Sequence, residues 1–248
     1  MGKKTTRTTD RKQGTVRTAA DGMLAFPLNC RLLRGLGEDG FRRICECMQV
    51  KERHLLDKEA CIFEDSSCDQ IGVVVSGAVR LTRRRPDGRR NVLEDVTANG
   101  VFGTTYAFRD SDTMGICVSA VGETTVLIFN TAKITQPCHK VCSAHVQFVK
   151  NLLAVMSQKT FRMRQKLRIL SQRTIRGRLL MMLQMMAVQA KTSSLDLPYD
   201  RQALADYLCV DRSALSAELS KLRKEGVLAC VRNHFELLHW AKKNTGGR

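Results

Sequence analysis

Residues 197–216 decide the fold, and they read LPYDRQALADYLCVDRSALS. The stretch predicts two short helices joined by a tight turn. Asp200 and Asp211 are the expected N-caps, because a carboxylate accepts the first free amide protons of a helix. Spacings of three and four residues predict one apolar face on each helix. These faces comprise Ala203, Leu204, Tyr207 and Leu208 on the first helix, and Leu215, Leu219 and Leu222 on the second.

The opposite face of the second helix carries small or polar side chains and a single long one. Its members are Ser213, Ser216, Ala217, Ser220 and Lys221. Such a face can approach another surface closely, as the second helix of a helix-turn-helix does in the DNA major groove. An ordinary helical hairpin on the protein surface is the alternative interpretation.

Length and charge narrow the class of protein. A chain of 248 residues is long enough for two domains with cores of their own. The formal net charge of +17 favours a polyanionic partner, and together with the helical hairpin it favours nucleic acid. No apolar run approaches the roughly 18 residues that span a bilayer, and the N-terminus lacks the apolar core of a secretory signal. The ten cysteines form no compact framework, so we expect a cytoplasmic protein with reduced thiols.

The first half of the chain divides into a tail and a β-rich domain. Residues 1–28 are predicted to be a basic disordered tail. Residues 29–132 are predicted to form a small β-roll domain, in which a helical segment over 29–59 precedes short β-branched runs separated by turns. The basic residues of the tail are Lys3, Lys4, Arg7, Arg11, Lys12 and Arg17, and the expected strands are 71–75, 78–82, 91–96, 116–121 and 125–129.

A long helix is predicted within residues 133–170. Apolar side chains recur there in alternating steps of four and three over three heptads, which is the seam of a coiled coil. We interpret this seam as a dimer interface, since it is longer than one helix needs to dock on a β-roll. A long core helix inside one subunit is the alternative. The seam residues are Val149, Leu153, Met156, Thr160, Met163 and Leu167, with Leu170 as the next in the series.

The remaining residues, 171–248, are predicted to form a winged helix-turn-helix. A helix over 175–186 and a loop over 190–197 precede the helical hairpin, and two strands, 227–231 and 234–238, follow it as a wing. Residues 159–178 carry eight basic side chains and no acidic one. Local salt bridges cannot neutralise that run, so we expect it to face solvent or phosphate.

This order of parts resembles the Crp/Fnr superfamily of bacterial transcription regulators. The resemblance covers about residues 29–238, and its motifs are IGVVVSGAVRL at 71–81, VFG at 101–103 and LADYLCVDRSALS at 204–216. The last third, with Pro137, Cys138 and Cys142, is similar to members from anaerobic Gram-positive bacteria. The resemblance implies an α+β fold with a cyclic-nucleotide-binding-like β-roll, a dimerisation helix and a winged helix-turn-helix. It also implies a homodimer that binds double-stranded DNA, with RNA polymerase as a candidate partner.

The resemblance also implies which side chains would touch DNA. Arg212, Ser213, Ser216 and Ala217 would face the base edges, and four others would position the DNA backbone. Many members carry an arginine where this chain has Ala217. Its loss is predicted to lower discrimination at that base pair by about 1–3 kcal/mol per half-site. The expected backbone contacts are Arg201, Lys221, Asn233 and His234.

Cyclic AMP is not an expected effector. In members that bind cyclic nucleotides a glutamate follows the Phe-Gly pair and an Arg-Ser pair lies about ten residues later. Here Thr104-Thr105 and Met114-Gly115 occupy those places. A buried phosphate needs a guanidinium or an equivalent, and Arg109 is a disfavoured substitute. The effector is therefore unidentified and no cofactor is predicted. The expected effector-site residues are Phe102, Gly103, Thr104, Thr105, Met114 and Gly115.

Neither metal binding nor catalysis is supported by a motif. The cysteines at 30, 45, 47, 61 and 68 do not have the spacing expected of an iron–sulfur cluster. The segment 138–145 places Cys138, Cys142, His139 and His145 near one helix, but small buried residues are the preferred interpretation, and no spacing favours haem binding by His54, His139 or His145. We therefore predict no metal site and no enzyme. Two other functions remain open, namely a regulatory module that acts on a partner protein and a metal or haem redox sensor of the same fold.

Overall fold

The computed structural model describes residues 15–56, 61–64, 70–84, 90–108, 115–136 and 142–239. The chain divides into two compact units, Met1–Gln158 and Lys159–Arg248, which are taken separately below. Among the described residues, no helix combines the length and the apolar character that crossing a membrane requires. The predicted turn at 85–88 lies outside the described residues, as do Arg109 and Met114.

The first unit contains two antiparallel sheets and the start of a long helix. Its elements are β1 (Thr15–Thr18), α1 (Gly37–Cys47), β2 (Lys51–Leu55), β3 (Cys61–Glu64), β4 (Gln70–Ser76), β5 (Ala78–Arg84), β6 (Arg90–Thr97), β7 (Val101–Phe102), β8 (Ile116–Ala120), β9 (Thr124–Asn130), α2 (Thr131–Thr135) and α3 (Ser143–Leu170). One sheet has the order β1-β2-β9-β4-β7 and the other the order β3-β8-β5-β6. The predicted β-roll and its five expected strands are confirmed.

The larger sheet is buried on both faces, because its central strands are apolar at successive positions. In β9, Leu127 and Phe129 face a core shared with the helices, and Val126 and Ile128 face the second sheet. This alternation follows from the two-residue period of a strand. The sheet therefore joins two cores, one inside the roll and one beneath the helices.

The expectation of a disordered tail over residues 1–28 is wrong from residue 15 onward, because β1 pairs with β2 at the edge of the larger sheet. The buried carboxylate of Glu52 accepts hydrogen bonds from the Arg17 guanidinium at 3.3 Å and from the backbone N–H of Ala25 at 2.6 Å. The expectation of a helical segment through residue 59 is also corrected, since β2 begins at Lys51. Residues 1–14 of the predicted tail lie outside the described residues.

The second unit is a helical hairpin packed on a three-stranded sheet. After the end of α3 it contains α4 (Ile175–Ala190), β10 (Ser194–Asp196), α5 (Arg201–Leu208), α6 (Arg212–Lys224), β11 (Leu228–Val231) and β12 (His234–Leu237), with the sheet order β10-β12-β11. The predicted helices and the two wing strands are confirmed. The predicted loop over 190–197 is wrong in part, because it holds β10, which pairs with β12. The wing is therefore a sheet of three strands.

Candidate nucleic-acid interface

The two helices of the hairpin begin where the sequence predicts, but only one carboxylate caps its helix. Asp200 accepts a hydrogen bond from the N–H of Ala203 at 2.8 Å. Asp211 occupies the N-cap position of α6, yet its side chain makes no capping bond, so that expectation is wrong. Between the helices Cys209 has φ +54°, a left-handed conformation that turns the chain sharply.

The two faces of α6 have opposite character, as expected. Leu215, Leu219 and Leu222 are buried in the core of the second unit. The hydroxyls of Ser216 and Ser220 donate to carbonyls one turn earlier, at 2.9 and 3.0 Å, so these side chains lie close to the helix. The other face is solvent-exposed throughout, at Arg212, Ser213, Ser216, Ala217, Ser220 and Lys221.

Glu218 in the middle of α6 and Glu225, which follows its last residue, are turned toward Arg176 at the start of α4. Arg176 lies 2.6 Å from an oxygen of Glu225 and 3.9 Å from one of Glu218. The hydrogen bond to Arg176 holds the pKa of Glu225 below its usual value. The nearby charge of Lys221 also lowers the pKa of Glu225, so this carboxylate is a neighbour of one basic residue of α6.

Two further cations of the basic run bind the C-terminal end of α5. Arg178 donates to the carbonyls of Leu208 and Cys209 at 3.1 and 3.2 Å. Lys166 donates to the carbonyl of Tyr207 and stacks on its ring, and burial lowers the pKa of this lysine. Cations favour helix C-termini because the free carbonyls there carry partial negative charge. The expectation that the whole run faces solvent or phosphate is therefore wrong for Lys166 and Arg178, while the Arg176 side chain stays 40% exposed beside its two carboxylates.

Three of the predicted backbone contacts also have partners within the unit. The guanidinium of Arg201 lies over the Phe235 ring at 5.1 Å. Asn233 donates to the carbonyl of Leu197 at 3.0 Å. His234 contacts Asp196 at 2.8 Å through Nδ1 and Ser194 at 3.3 Å through Nε2. Sequence reasoning missed these contacts, because each one joins residues that are at least 29 apart.

The seam of α3 is mostly exposed in the single chain. Leu153, Met163 and Leu167 are each more than 60% exposed, and Thr160 is exposed as well. Val149 and Met156, in contrast, pack partly against the core of the first unit. Val146, which lies seven residues before Leu153, is also exposed and continues the seam by one more position. Along the first part of α3 the surface forms an open apolar groove of about 590 Å³, the α3 groove, lined by Phe108, Ile134, Val146, Val149, Leu153 and Met156 among others.

The expected effector residues that the structure describes differ in their burial. The ring of Phe102 is fully buried between the sheets, so tightly that a Cβ built on Gly72 would lie 2.0 Å from its Cζ. Thr104 is buried and Thr105 is exposed. Gly115 accepts a hydrogen bond from the N–H of Arg84 at 2.7 Å. The expectation that Phe102 lines a pocket is therefore corrected, since its ring belongs to the core of the roll.

The cysteines and histidines of the described residues form no group of three that could hold a metal ion. His54 contacts Thr125 at 2.9 Å, and Cys30 and Cys45 are buried in the core of the first unit. Cys68, Cys138 and His139 lie outside the described residues. The side chains of Cys47 and His145 lie within hydrogen-bond distance of each other.

Comparisons with known proteins match both units. The model of the cyclic nucleotide-binding domain matches residues 52–140, and that of the Crp-like helix-turn-helix domain matches residues 177–242. The nitrogen fixation regulation protein FixK of Bradyrhizobium diazoefficiens is 22% identical over 76% of this chain and 78% of its own length. The c-di-GMP responsive regulator CLP of Xanthomonas campestris is 16% identical with a TM-score of 0.50, covering 82% of this chain and 99% of CLP.

The catabolite activator protein of Thermus thermophilus is 20% identical with a TM-score of 0.46, covering 84% of this chain and 93% of that protein. The likeness to CLP, at 16% identity, bears on the fold alone, and no argument rests on the likeness to the catabolite activator protein. The two domain models together match more than half of the chain, in the order that the sequence predicts. The chain therefore belongs to the Crp/Fnr family of DNA-binding transcription regulators.

Proposed function

We propose that the chain works as a homodimer in which each α6 reads one half of a palindromic DNA site. The observation that carries the proposal is the exposed face of α6. It combines small side chains with the exposed cations Arg212 and Lys221. The leucines of α6 are buried in the core of the unit, so this opposite face is directed toward solvent. A helix with such a face can enter the major groove of DNA.

Within this interface the long and the short side chains have different tasks. Arg212, in the first turn of α6, is placed to donate to guanine O6 and N7, while Ser213, Ser216 and Ala217 allow close approach to the base edges. Lys221 contacts phosphate. Arg201, Asn233 and His234 are proposed as further backbone contacts that also hold the wing in place. Their replacement is therefore expected to lower stability as well as affinity.

Selection from random DNA, followed by gel shift against the selected palindrome, tests this interface. Arg212→Ala should weaken specific binding by about 1–3 kcal/mol and relax the preference at one base pair of each half-site. Lys221→Ala should weaken binding to all sequences and lower the dependence of affinity on salt. Arg43→Ala, at an exposed arginine of α1, is the matched control. Equal, weak binding to every sequence, unchanged in Arg212→Ala, would favour the module that acts on a partner protein.

The dimer is proposed from the exposed apolar seam of α3. A second α3 would cover Leu153, Met163 and Leu167, which one chain leaves in solvent. Sedimentation should give a dimer for the natural chain and a monomer for Leu167→Glu. Val188→Glu changes an equally exposed apolar residue of α4 and should leave the dimer intact. A monomeric natural chain, even with its selected DNA, would contradict the proposal.

We also propose that the roll receives a small-molecule or redox signal other than cyclic AMP. Support comes from the Phe102 ring, which fills the space between the sheets, and from the absence of an Arg-Ser pair in the sequence at Met114-Gly115. Calorimetry with cyclic AMP should detect no binding at micromolar protein. Metal and haem analysis of anaerobically purified protein tests the redox-sensor alternative, and stoichiometric iron would support that alternative.

A further inference from the structure

The thiol of Cys47 and the imidazole of His145 form a pair in the first unit. Cys47 is the last residue of α1 and His145 lies in the first turn of α3. The Sγ of Cys47 is 3.9 Å from Nδ1 of His145, within the distance of a hydrogen bond to sulfur. The two residues are 98 apart in sequence, so only the fold brings them together.

The tautomer of His145 follows from its second contact. Nε2 lies 2.9 Å from the carbonyl oxygen of Ile134 in α2. A carbonyl oxygen can only accept, so Nε2 carries the proton and Nδ1 of the neutral ring has a free lone pair toward Cys47. The imidazole is therefore oriented as a base for the thiol, with its other side held by a backbone group. A thiol, a base and an orienting acceptor in this order are the arrangement of an activated nucleophile.

The Cys47 thiol is partly accessible to solvent, whereas the His145 imidazole is buried. His145 is 7% exposed, whereas Cys47 is half-buried. Cys45, two residues earlier on the same helix, shows the opposite case. It is buried in the core, and burial raises the pKa of its thiol to about 12. The C-terminal end of α1 disfavours an anion, and an imidazolium at His145 would favour a thiolate at Cys47.

We propose that Cys47 is an oxidation-sensitive site whose thiol is activated by His145 and reacts with hydrogen peroxide. Nδ1 takes the thiol proton, and the thiolate attacks one peroxide oxygen. An S–O bond forms and the O–O bond breaks, and the departing hydroxide takes the proton from Nδ1. Thiol and peroxide thus give sulfenic acid and water, with sulfur oxidised and peroxide reduced. His145 returns to its neutral form.

The modification lies next to a part of the molecule that matters for the proposed dimer. His145 and Ile134 both line the α3 groove, and His145 belongs to the first turn of the helix that carries the seam. An oxygen atom added to Cys47 must fit between α1 and that turn. The thiol chemistry itself is measured without DNA, so its outcome does not depend on whether the proposed dimer or DNA interface is correct.

The test is the rate of sulfenic acid formation at each cysteine of the full chain. Reduced protein is treated with equimolar hydrogen peroxide in the presence of dimedone, and labelling of each cysteine peptide is followed by mass spectrometry. Cys47 should be labelled at least about tenfold faster than Cys45, and His145→Gln should lower the Cys47 rate at least about tenfold. Glutamine can still donate to the Ile134 carbonyl but supplies no base. The rate at the exposed Cys209 should not change.

A second measurement needs no variant. In the unfolded chain in urea, Cys47 loses His145, so its labelling rate relative to Cys209 should fall. If burial alone governed Cys47, unfolding would raise that ratio. A higher ratio in urea, or a Cys47 rate in folded His145→Gln equal to that of the natural chain, would overturn the proposal.

Discussion

Replacing Gly72 by alanine is expected to destabilise the roll, although alanine is ordinarily the better strand residue. A glycine inside a strand costs about 0.5–1 kcal/mol relative to alanine, so without steric conflict Gly72→Ala would stabilise the protein. In β4, however, the new Cβ would lie 2.0, 2.4 and 2.5 Å from three atoms of the Phe102 ring. Carbon atoms pack at about 3.5 Å or more, so the ring would have to move by about 1.5 Å. Overpacking of this kind typically costs about 1–3 kcal/mol and reverses the sign.

A double-mutant cycle with Phe102→Leu isolates the cause. Leucine has no atoms at the positions that the Cβ would strike, so Gly72→Ala should cost much less in the Phe102→Leu background. The expected coupling is about 0.5–3 kcal/mol. Phe102→Leu alone should lower stability by about 1–3 kcal/mol, because it removes core contacts.

The assay follows the roll by itself, because two units need not unfold together. Hydrogen exchange of peptides from β4 and β7, measured over a urea series, gives the stability of this part of the chain, and peptides from α6 serve as the internal control. Additive effects of the two substitutions, or a stabilising Gly72→Ala, would show that the Phe102 ring does not fill the space between the sheets. In that case the ring would again be available to line an effector pocket.

Two further predictions concern the caps and the acid stability. Asp200→Ala should destabilise the second unit by about 1 kcal/mol in urea unfolding, because it removes the cap bond to Ala203. Asp211→Ala, at a cap position without a side-chain bond, should change stability by less than about 0.5 kcal/mol. Arg80 binds Asp95 through two hydrogen bonds of 2.7 Å and lowers the pKa of Asp95 below its ordinary value of 3.8. The resulting stabilisation is present above that ordinary pKa and is lost as the pH falls through the lower pKa of the folded state, so Asp95→Asn should flatten acid unfolding curves. Identical acid curves for Asp95→Asn and the natural chain would refute this account.

The strands and helices that the sequence predicted are those whose patterns are local. Periodicity within a few residues is enough to predict such elements, as in the β-branched runs of β4, β5 and β9 and the leucine spacing of α6. The edge strand β1 and its neighbour β2 show no such local pattern, because the contacts of Glu52 that join this edge to the chain around it come from distant residues. Its carboxylate accepts from Arg17 and from the N–H of Ala25, which are 35 and 27 residues away. A composition rich in threonine and basic residues is equally typical of a solvated tail. The local sequence therefore does not distinguish an edge strand from such a tail.

The effector residues illustrate a different limit. Family resemblance placed Phe102 at a pocket, but in β7 Val101 faces the helices and Phe102 faces the interior of the roll. A strand alternates its side chains, so a residue next to a buried neighbour can be equally buried when both faces of the sheet are covered. Whether one or both faces of the sheet are covered depends on elements that are distant in the chain. The sequence around Val101 therefore does not predict the burial of Phe102.

The basic run before the helical hairpin shows that the position of positive charge depends on contacts that the sequence does not reveal. An ion pair leaves the net charge of a domain unchanged, so the pairing of Arg176 does not make the second unit less basic. It changes how the charges are arranged, because Glu218 of α6 and Glu225 just after that helix lie near Arg176 on α4. Arg212, Lys221, Arg223 and Lys224 of α6 are exposed to solvent, and Lys221 lies near enough to Glu225 to lower the pKa of that carboxylate. We therefore expect the field that a phosphate backbone would encounter to be shaped in part by this contact, which joins residues 49 positions apart in the sequence.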